Sequence, residues 1–400
     1  MHTIRTAFLS TLLAAMVTVP AWSATAANNT WPHFRGANRD GISTEKVTLG
    51  SEAPQQLWKA KLGTGFTSIA IANGLVYSSG NENDRDTIVC LEAKSGKVVW
   101  TFPYPQKLEP NLYEGGPNST PTVAGDHVYI LAKDGFAACL EAKTGKAVWQ
   151  KNVAQETGAA KPDWGFSGSP TVEGKVLYLN VGANGCALEA ATGKVVWKSG
   201  GTKAGYATPI PFTIGKVSGL LVFTSDALAA VNPMDGKVVW SHPWTTNYGV
   251  NSADPIVLGS QVFISTGYNY GCALLDFADG KPREVWRNKT MRNHFNACVL
   301  MGGHLFGFDE GTLKCIDWAT GSQKWEQDGL GKGSLIAADG KLVILSERGE
   351  LAIAEASASG YKELSRSQVL SGKCWTSPAI AEGRIYCRNA KGDLVCLAVK

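Results

Sequence analysis

The chain has 400 residues, 44% of them hydrophobic and 18% charged, with 45 glycines, nine cysteines and a formal charge of +4. That apolar content fills a large core, and no long polar linker divides the chain, so one repeat domain is the economical reading. Lysine and arginine are spread along the sequence instead of clustering, which argues against a nucleic-acid surface.

Residues 1–26 begin with His2 and Arg5, continue through an apolar run from Ala7 to Val19 and reach Ala24-Thr25-Ala26. This is the pattern of a secretory signal peptide cut after Ala26, and it predicts a periplasmic or secreted protein, soluble after cleavage. The run is too short for a spanning helix, and no cysteine precedes Cys90, so no lipobox cysteine lies near the cleavage site. Residues 27–55 read as an N-terminal arm, with Trp31–Ser43 expected on the exterior of the domain and Asp40-Gly41 as a turn.

From Trp58 onward the chain is periodic. Trp58, Trp100, Trp149, Trp197, Trp240, Trp286 and Trp325 recur at comparable intervals, and all but the first close a phrase of the form Cys90-Leu-Glu-Ala-Lys-Ser-Gly-Lys-Val-Val-Trp100. Each copy is an apolar run, a polar turn with Gly where positive φ is needed, and a β-branched run ending in an indole: a β-hairpin. A second phrase fills the gaps, with Pro followed by an aromatic, as in Pro121 to Tyr129, Pro170 to Tyr178, Pro255 to Phe263 and Pro378 to Tyr386. Pro cannot donate to a ladder and suits the start of a strand. Each repeat therefore holds four antiparallel strands.

The last repeat supplies only three strands, while Gln56-Leu-Trp58-Lys-Ala is a strand with no repeat before it. The ends complete each other, which predicts an all-β, eight-bladed β-propeller over residues 56–400, its last blade closed by the N-terminal strand. The recurrent tryptophans are structural on this reading, wedged between blades. Cys90, Cys139, Cys315 and Cys396 take a small buried position shared with Ala187 and Ala230, whereas Cys387 and Cys396 lie on successive strands where a disulfide is an open alternative. No metal-ligand spacing is present. The polar stretch Ser78–Asp86 reads as a solvated loop that resembles a calcium loop only loosely.

These repeats, with the Ser/Thr-Pro strand openings and the Trp31-Pro-His-Phe-Arg-Gly arm, resemble the PQQ-like β-propeller repeat family over residues 31–400. The resemblance implies the fold; for function it spans quinoprotein alcohol dehydrogenases and exported propellers similar to BamB of the outer-membrane assembly machinery. The dehydrogenase pattern of vicinal cysteines and several calcium ligands is missing, and Asp254 is the one acid at a strand-opening position. No catalytic residue, metal ligand or cofactor is assigned. The expectation is a non-catalytic propeller binding a protein partner or small ligand in the cell envelope. The alternatives are a PQQ- and calcium-dependent dehydrogenase of alcohols or sugars, and a carbohydrate-binding module.

Strand parity locates the site. Loops after second and fourth strands emerge on one face, and the long blade-to-blade connections belong to that set. Just before the inner strands they carry Phe66, Trp164, Phe166, Tyr206, Tyr248, Arg292, His294, Phe295, Lys332, Lys373 and Trp375, which with Asp254 are expected around the mouth of a central funnel. Aromatic walls with a few cations suit a planar anion, a sugar ring or an extended peptide.

Overall fold

The computed structural model describes residues 30–46, 52–201, 204–214, 217–278 and 280–399. The signal peptide read at 1–26 lies outside the described residues. Each sequence repeat folds as a four-stranded antiparallel sheet, and eight such sheets form a propeller. The first strands of neighbouring blades touch one another, which places them around the axis. The fourth strands face solvent; Gln56–Lys61 and Val98–Pro105 each bury the tryptophan and expose most of their other residues.

That tryptophan joins one blade to the next. Trp58, Trp100, Trp149, Trp197, Trp286 and Trp325 each donate Nε1–H to a backbone carbonyl in the following blade, on Ala93, Ala142, Ala190, Pro233, Trp318 and Ser357. The repeat glycine has two reasons to be there. At Gly96 the backbone has φ 71°, and a Cβ would fall 2.6 Å from the Trp58 ring. One copy's indole thus lies on the next copy's glycine, which explains why both recur together. Trp240 is the variation: it stacks on Phe277 with centroids 3.9 Å apart and an interplanar angle of 17°.

Closure follows the split repeat. Gln56–Lys61 pairs antiparallel with Asp393–Ala398, completing the sheet of the last blade. Arg388 fastens this seam from inside: its fully buried guanidinium donates to the carbonyls of Gly65 at 3.0 Å and Thr67 at 2.9 Å, on the chain leading into blade one, and of Ser79 at 2.6 Å within that blade. Burial pushes its pKa down to about 9.

Two local expectations are corrected, those for the arm and for Ser78–Asp86. The arm does not lie on the exterior. Trp31 bridges Ile71 in blade one, Pro32 accepts from Val123 in blade two, and Arg39 pairs with Glu173 in blade three at 3.0 Å. Arg35 donates to the carbonyls of Ala297 and Cys298 before blade six, Ile42–Ser43 adds a parallel strand inside blade seven, and Glu45 accepts from Glu382 and Gly383 in blade eight. An arm that touches the inner strands of so many blades crosses the axis. Ser78–Asp86 is not a loop either: Leu75–Glu82 and Arg85–Glu92 pair through a two-residue turn, with Asn83 and Asp84 at φ 54° and 56°. The connection after Trp149 carries a short helix, Val153–Thr157, N-capped by Asn152. Finally, all nine cysteines are buried and free. Cys387 sits opposite Val395 and Cys396 opposite Tyr386, so side-chain alternation sends the two thiols to opposite faces of the sheet.

Candidate funnel site

The arm and the inner strands enclose a cavity of about 380 Å³ that opens on the long-loop face. Its polar collar comes from the residues that precede the strand-opening prolines. Thr120 accepts from Ser68 N–H at 3.2 Å, Ser169 from Thr120 N–H at 3.1 Å, Thr208 from Ser169 N–H at 3.3 Å and Asp254 from Thr208 N–H at 2.8 Å. Blades two to five thereby each satisfy a backbone donor of the blade before. A hydroxyl suffices for that bond, and Asp254 brings one oxygen more than the collar uses. Its Oδ2 is buried without a hydrogen-bond partner, and the residue is only 5% exposed. Burial pushes the carboxyl up to about 6, with Arg35 and the bond from Thr208 opposing.

Above the collar stand aromatic walls. Phe66 packs on Tyr113 and Trp375 with centroids 5.4 and 5.7 Å apart, and Trp375 on Phe295 at 4.8 Å. His294 continues the series against Phe295 at 5.1 Å and Tyr268 at 4.5 Å, while Trp164 meets Tyr206 edge-on. Lys332 Nζ lies 3.1 Å from His294 Nδ1 and 3.8 Å from Glu310. Burial first and Lys332 second push the imidazole down to about 4, so it is neutral at neutral pH.

The structure brings Phe66, Trp164, Tyr206, Asp254, His294, Phe295, Lys332 and Trp375 to this one cavity. Four other residues expected there stand elsewhere. Phe166 is fully buried between blades two and three. Tyr248 is 58% exposed and rests on Tyr268 outside the lining. Arg292 turns to Asp309, with Nε 2.6 Å from Oδ1. Lys373 lies over the Trp375 ring and bonds Glu114 at 2.9 Å, on the rim. The lining also includes Phe34 from the arm, Tyr113 from the connection after blade one and Tyr268 from a hairpin turn.

The connection after blade one arches over the mouth. Asn111, Leu112 and Tyr113 line the cavity from above, with Leu112 at φ 64° and 91% exposed. Side chains from other blades hold this strap: Lys161 on Glu109 at 3.0 Å, Trp164 Nε1 on the Asn111 carbonyl at 3.2 Å, and Lys133 on the Tyr113 hydroxyl at 2.5 Å.

A quinone with calcium was one implied occupant, and the donor set does not fit it. Calcium takes six or more oxygen ligands, usually with several carboxylates. Asp254 is the one carboxylate lining the cavity, and among the described residues no three of His, Cys, Asp or Glu gather in a metal-holding group. Arg35, the cation nearest Asp254 in effect, spends its donors on the carbonyls of Arg39, Ala297, Asp40 and Cys298. Lys332 is already engaged by Glu310 and His294, leaving little positive charge to meet a polyanion.

No curated protein matches the chain in sequence. Among solved structures, BamB from Moraxella catarrhalis superposes with a TM-score of 0.65 at 14% identity, covering 86% of this chain and 100% of that one. A europium-containing methanol dehydrogenase gives 0.72 at 12%, covering 93% and 98%. The quinohemoprotein alcohol dehydrogenase from Comamonas testosteroni gives 0.69 at 12%, covering 92% and 80%. At such identities these likenesses show the fold. The sequence itself matches the PQQ-like repeat family described as outer membrane protein assembly factor BamB over residues 45–210, 115–327 and 309–400, and the chain belongs to that family.

Proposed function

We propose that the protein is an exported, non-catalytic propeller whose funnel binds a small ring-bearing ligand. The observation that supports this most is the cavity itself: about 380 Å³, with the arm's Phe34 in its lining, flat aromatic faces around it and a polar collar within it. Specific small-molecule sites combine mostly apolar walls with a few placed polar groups in this way. An envelope location agrees with the leader-like first residues and with the family's description.

A protein partner on the same face is the second reading, supported by Leu112, a large apolar side chain exposed at the mouth. The first experiment is a thermal-shift titration of residues 27–400 with small neutral and charged ring compounds, and with PQQ and calcium separately and together. Saturable stabilisation by a small ring compound, abolished in Trp164→Ala, supports the proposal. Saturable stabilisation that requires both PQQ and calcium replaces it with the dehydrogenase reading. Stabilisation by neither class leaves the partner reading in its place.

A further inference from the structure

We infer that the free oxygen of Asp254 is the polar anchor of the funnel, and that the ligand it takes is a neutral polyhydroxylated ring, a monosaccharide or small glycoside. The inference rests on the small-ligand reading and adds to it the ligand class and the residue that reads it.

Asp254 lines the cavity; its Oδ1 is used by Thr208 N–H, whereas its Oδ2 is buried with no hydrogen-bond partner. A buried carboxylate oxygen left unbonded is costly, and a ligand that donates to it removes the cost. The donor need not be a cation. Arg35 and Arg39 already act on this carboxylate through space, so an ammonium would bring a third positive charge to a site supplied with two. A hydroxyl is sufficient and avoids desolvating a charge.

The remaining lining supports a neutral ligand. Lys332 and Arg35 are engaged as described above, and the remaining polar side chains of the lining are neutral, chiefly hydroxyls such as Thr120, Ser169, Thr208 and Ser252 with the amides of Asn118 and Asn296. Hydroxyls both donate and accept, which suits a ring that presents hydroxyls at its edge. The faces of a sugar ring carry C–H groups, and flat aromatic side chains such as Trp164 and Trp375 offer complementary apolar surfaces.

The test is calorimetric titration of the full chain with methyl glucoside, methyl galactoside and methyl mannoside, alongside glucuronate and glucosamine as charged counterparts. Saturable binding of at least one neutral glycoside, stronger than that of either charged sugar, is expected. In Asp254→Thr, the residue type of the neighbouring collar positions, a hydroxyl can keep the bond from Thr208 N–H while the second oxygen is lost; affinity should fall at least about tenfold. Glycoside binding that survives Asp254→Thr but is lost in Trp164→Ala would overturn the anchor while keeping the funnel as a site. Preference for a charged sugar would overturn the ligand class alone. No binding by any of the five, with a non-sugar ring compound still stabilising the chain, would overturn this inference and spare the broader reading. The melting temperature of each variant, measured without sugar, separates lost binding from lost folding.

Discussion

Asp254 and His294 face one cavity with opposite protonation habits, and each gives a pH signature of its own sign. The folded carboxyl of Asp254 is raised from 3.8 to about 6, so between those values the folded chain holds a proton that the unfolded chain releases. Its contribution therefore declines as pH rises through that window. His294 is lowered from 6.5 to about 4, and its contribution is lost as pH falls from 6.5 towards 4. Urea unfolding should show that Asp254→Asn gains stability relative to the parent as pH rises from about 4 to 6, and that His294→Gln gains relative stability as pH falls through about 6.5 to 4. A constant difference across the range would remove the assigned shift. At this scale the sequence carried much of the site, because the aromatics just before inner strands reach the axis by strand parity. Phe166 did not follow, since two positions after Trp164 it turns into the packing between blades. Phe34 and Tyr268 were missed because they come from the arm and from a hairpin turn, and neither belongs to the blade-to-blade connections that parity singled out.

Among the elements, the repeat hairpin was readable in full and the arm was not. The hairpin announces itself by Gly and Trp at fixed spacing, and the structure adds that the two are partners across blades. Gly236 and Gly280 are both at positive φ, 70° and 76°, yet a Cβ on Gly236 strikes the Trp197 ring whereas one on Gly280 meets nothing within 4 Å. Gly236→Ala should therefore cost more than Gly280→Ala by at least about 1 kcal/mol in chemical denaturation, since backbone strain is common to both and only the first also displaces an indole. Equal costs would dissociate the glycine from the wedge. Trp197→Ala should cost about 3 to 5 kcal/mol by the same measurement. The arm carries no period, and its partners are blade backbone groups and two distant carboxylates, none of which leaves a pattern within residues 31–45. Arg35→Met removes donors from four carbonyls and a cation from the field of Asp254, so the titration midpoint of Asp254, followed by carboxyl-carbon NMR, should move above about 6. A fixed midpoint would show that Arg35 does not bear on that carboxylate.

The whole molecule is a ring whose one seam joins the N-terminal strand to the last blade. Its position was legible because one strand lacked a repeat and one repeat lacked a strand. The means of securing it was not, since Arg388 looks like any arginine at a strand end until its partners are assembled by closure. A buried guanidinium held by carbonyl dipoles and the Ser78 hydroxyl leaves several acceptors orphaned when it is removed, and Arg388→Met should destabilise the propeller by about 3 kcal/mol or more in reversible unfolding. A variant as stable as the parent would mean that the ladder between residues 56–61 and 393–398 closes the ring without it.

The arm across the axis also shapes traffic. With the channel crossed beneath the cavity, a bound molecule enters and leaves by the same mouth, under the strap that Lys161, Trp164 and Lys133 hold in place. Arrival and departure then share one barrier. Loosening the strap at a point that touches no ligand, as in Glu109→Gln, should speed association and dissociation by the same factor and leave their ratio unchanged, a behaviour that stopped-flow tryptophan fluorescence resolves. A propeller open at both ends would keep a second route that the strap does not govern, and the same loosening would change both rates less. The residence time of whatever occupies this funnel is thus written in a surface ion pair, while its affinity is written in the collar below.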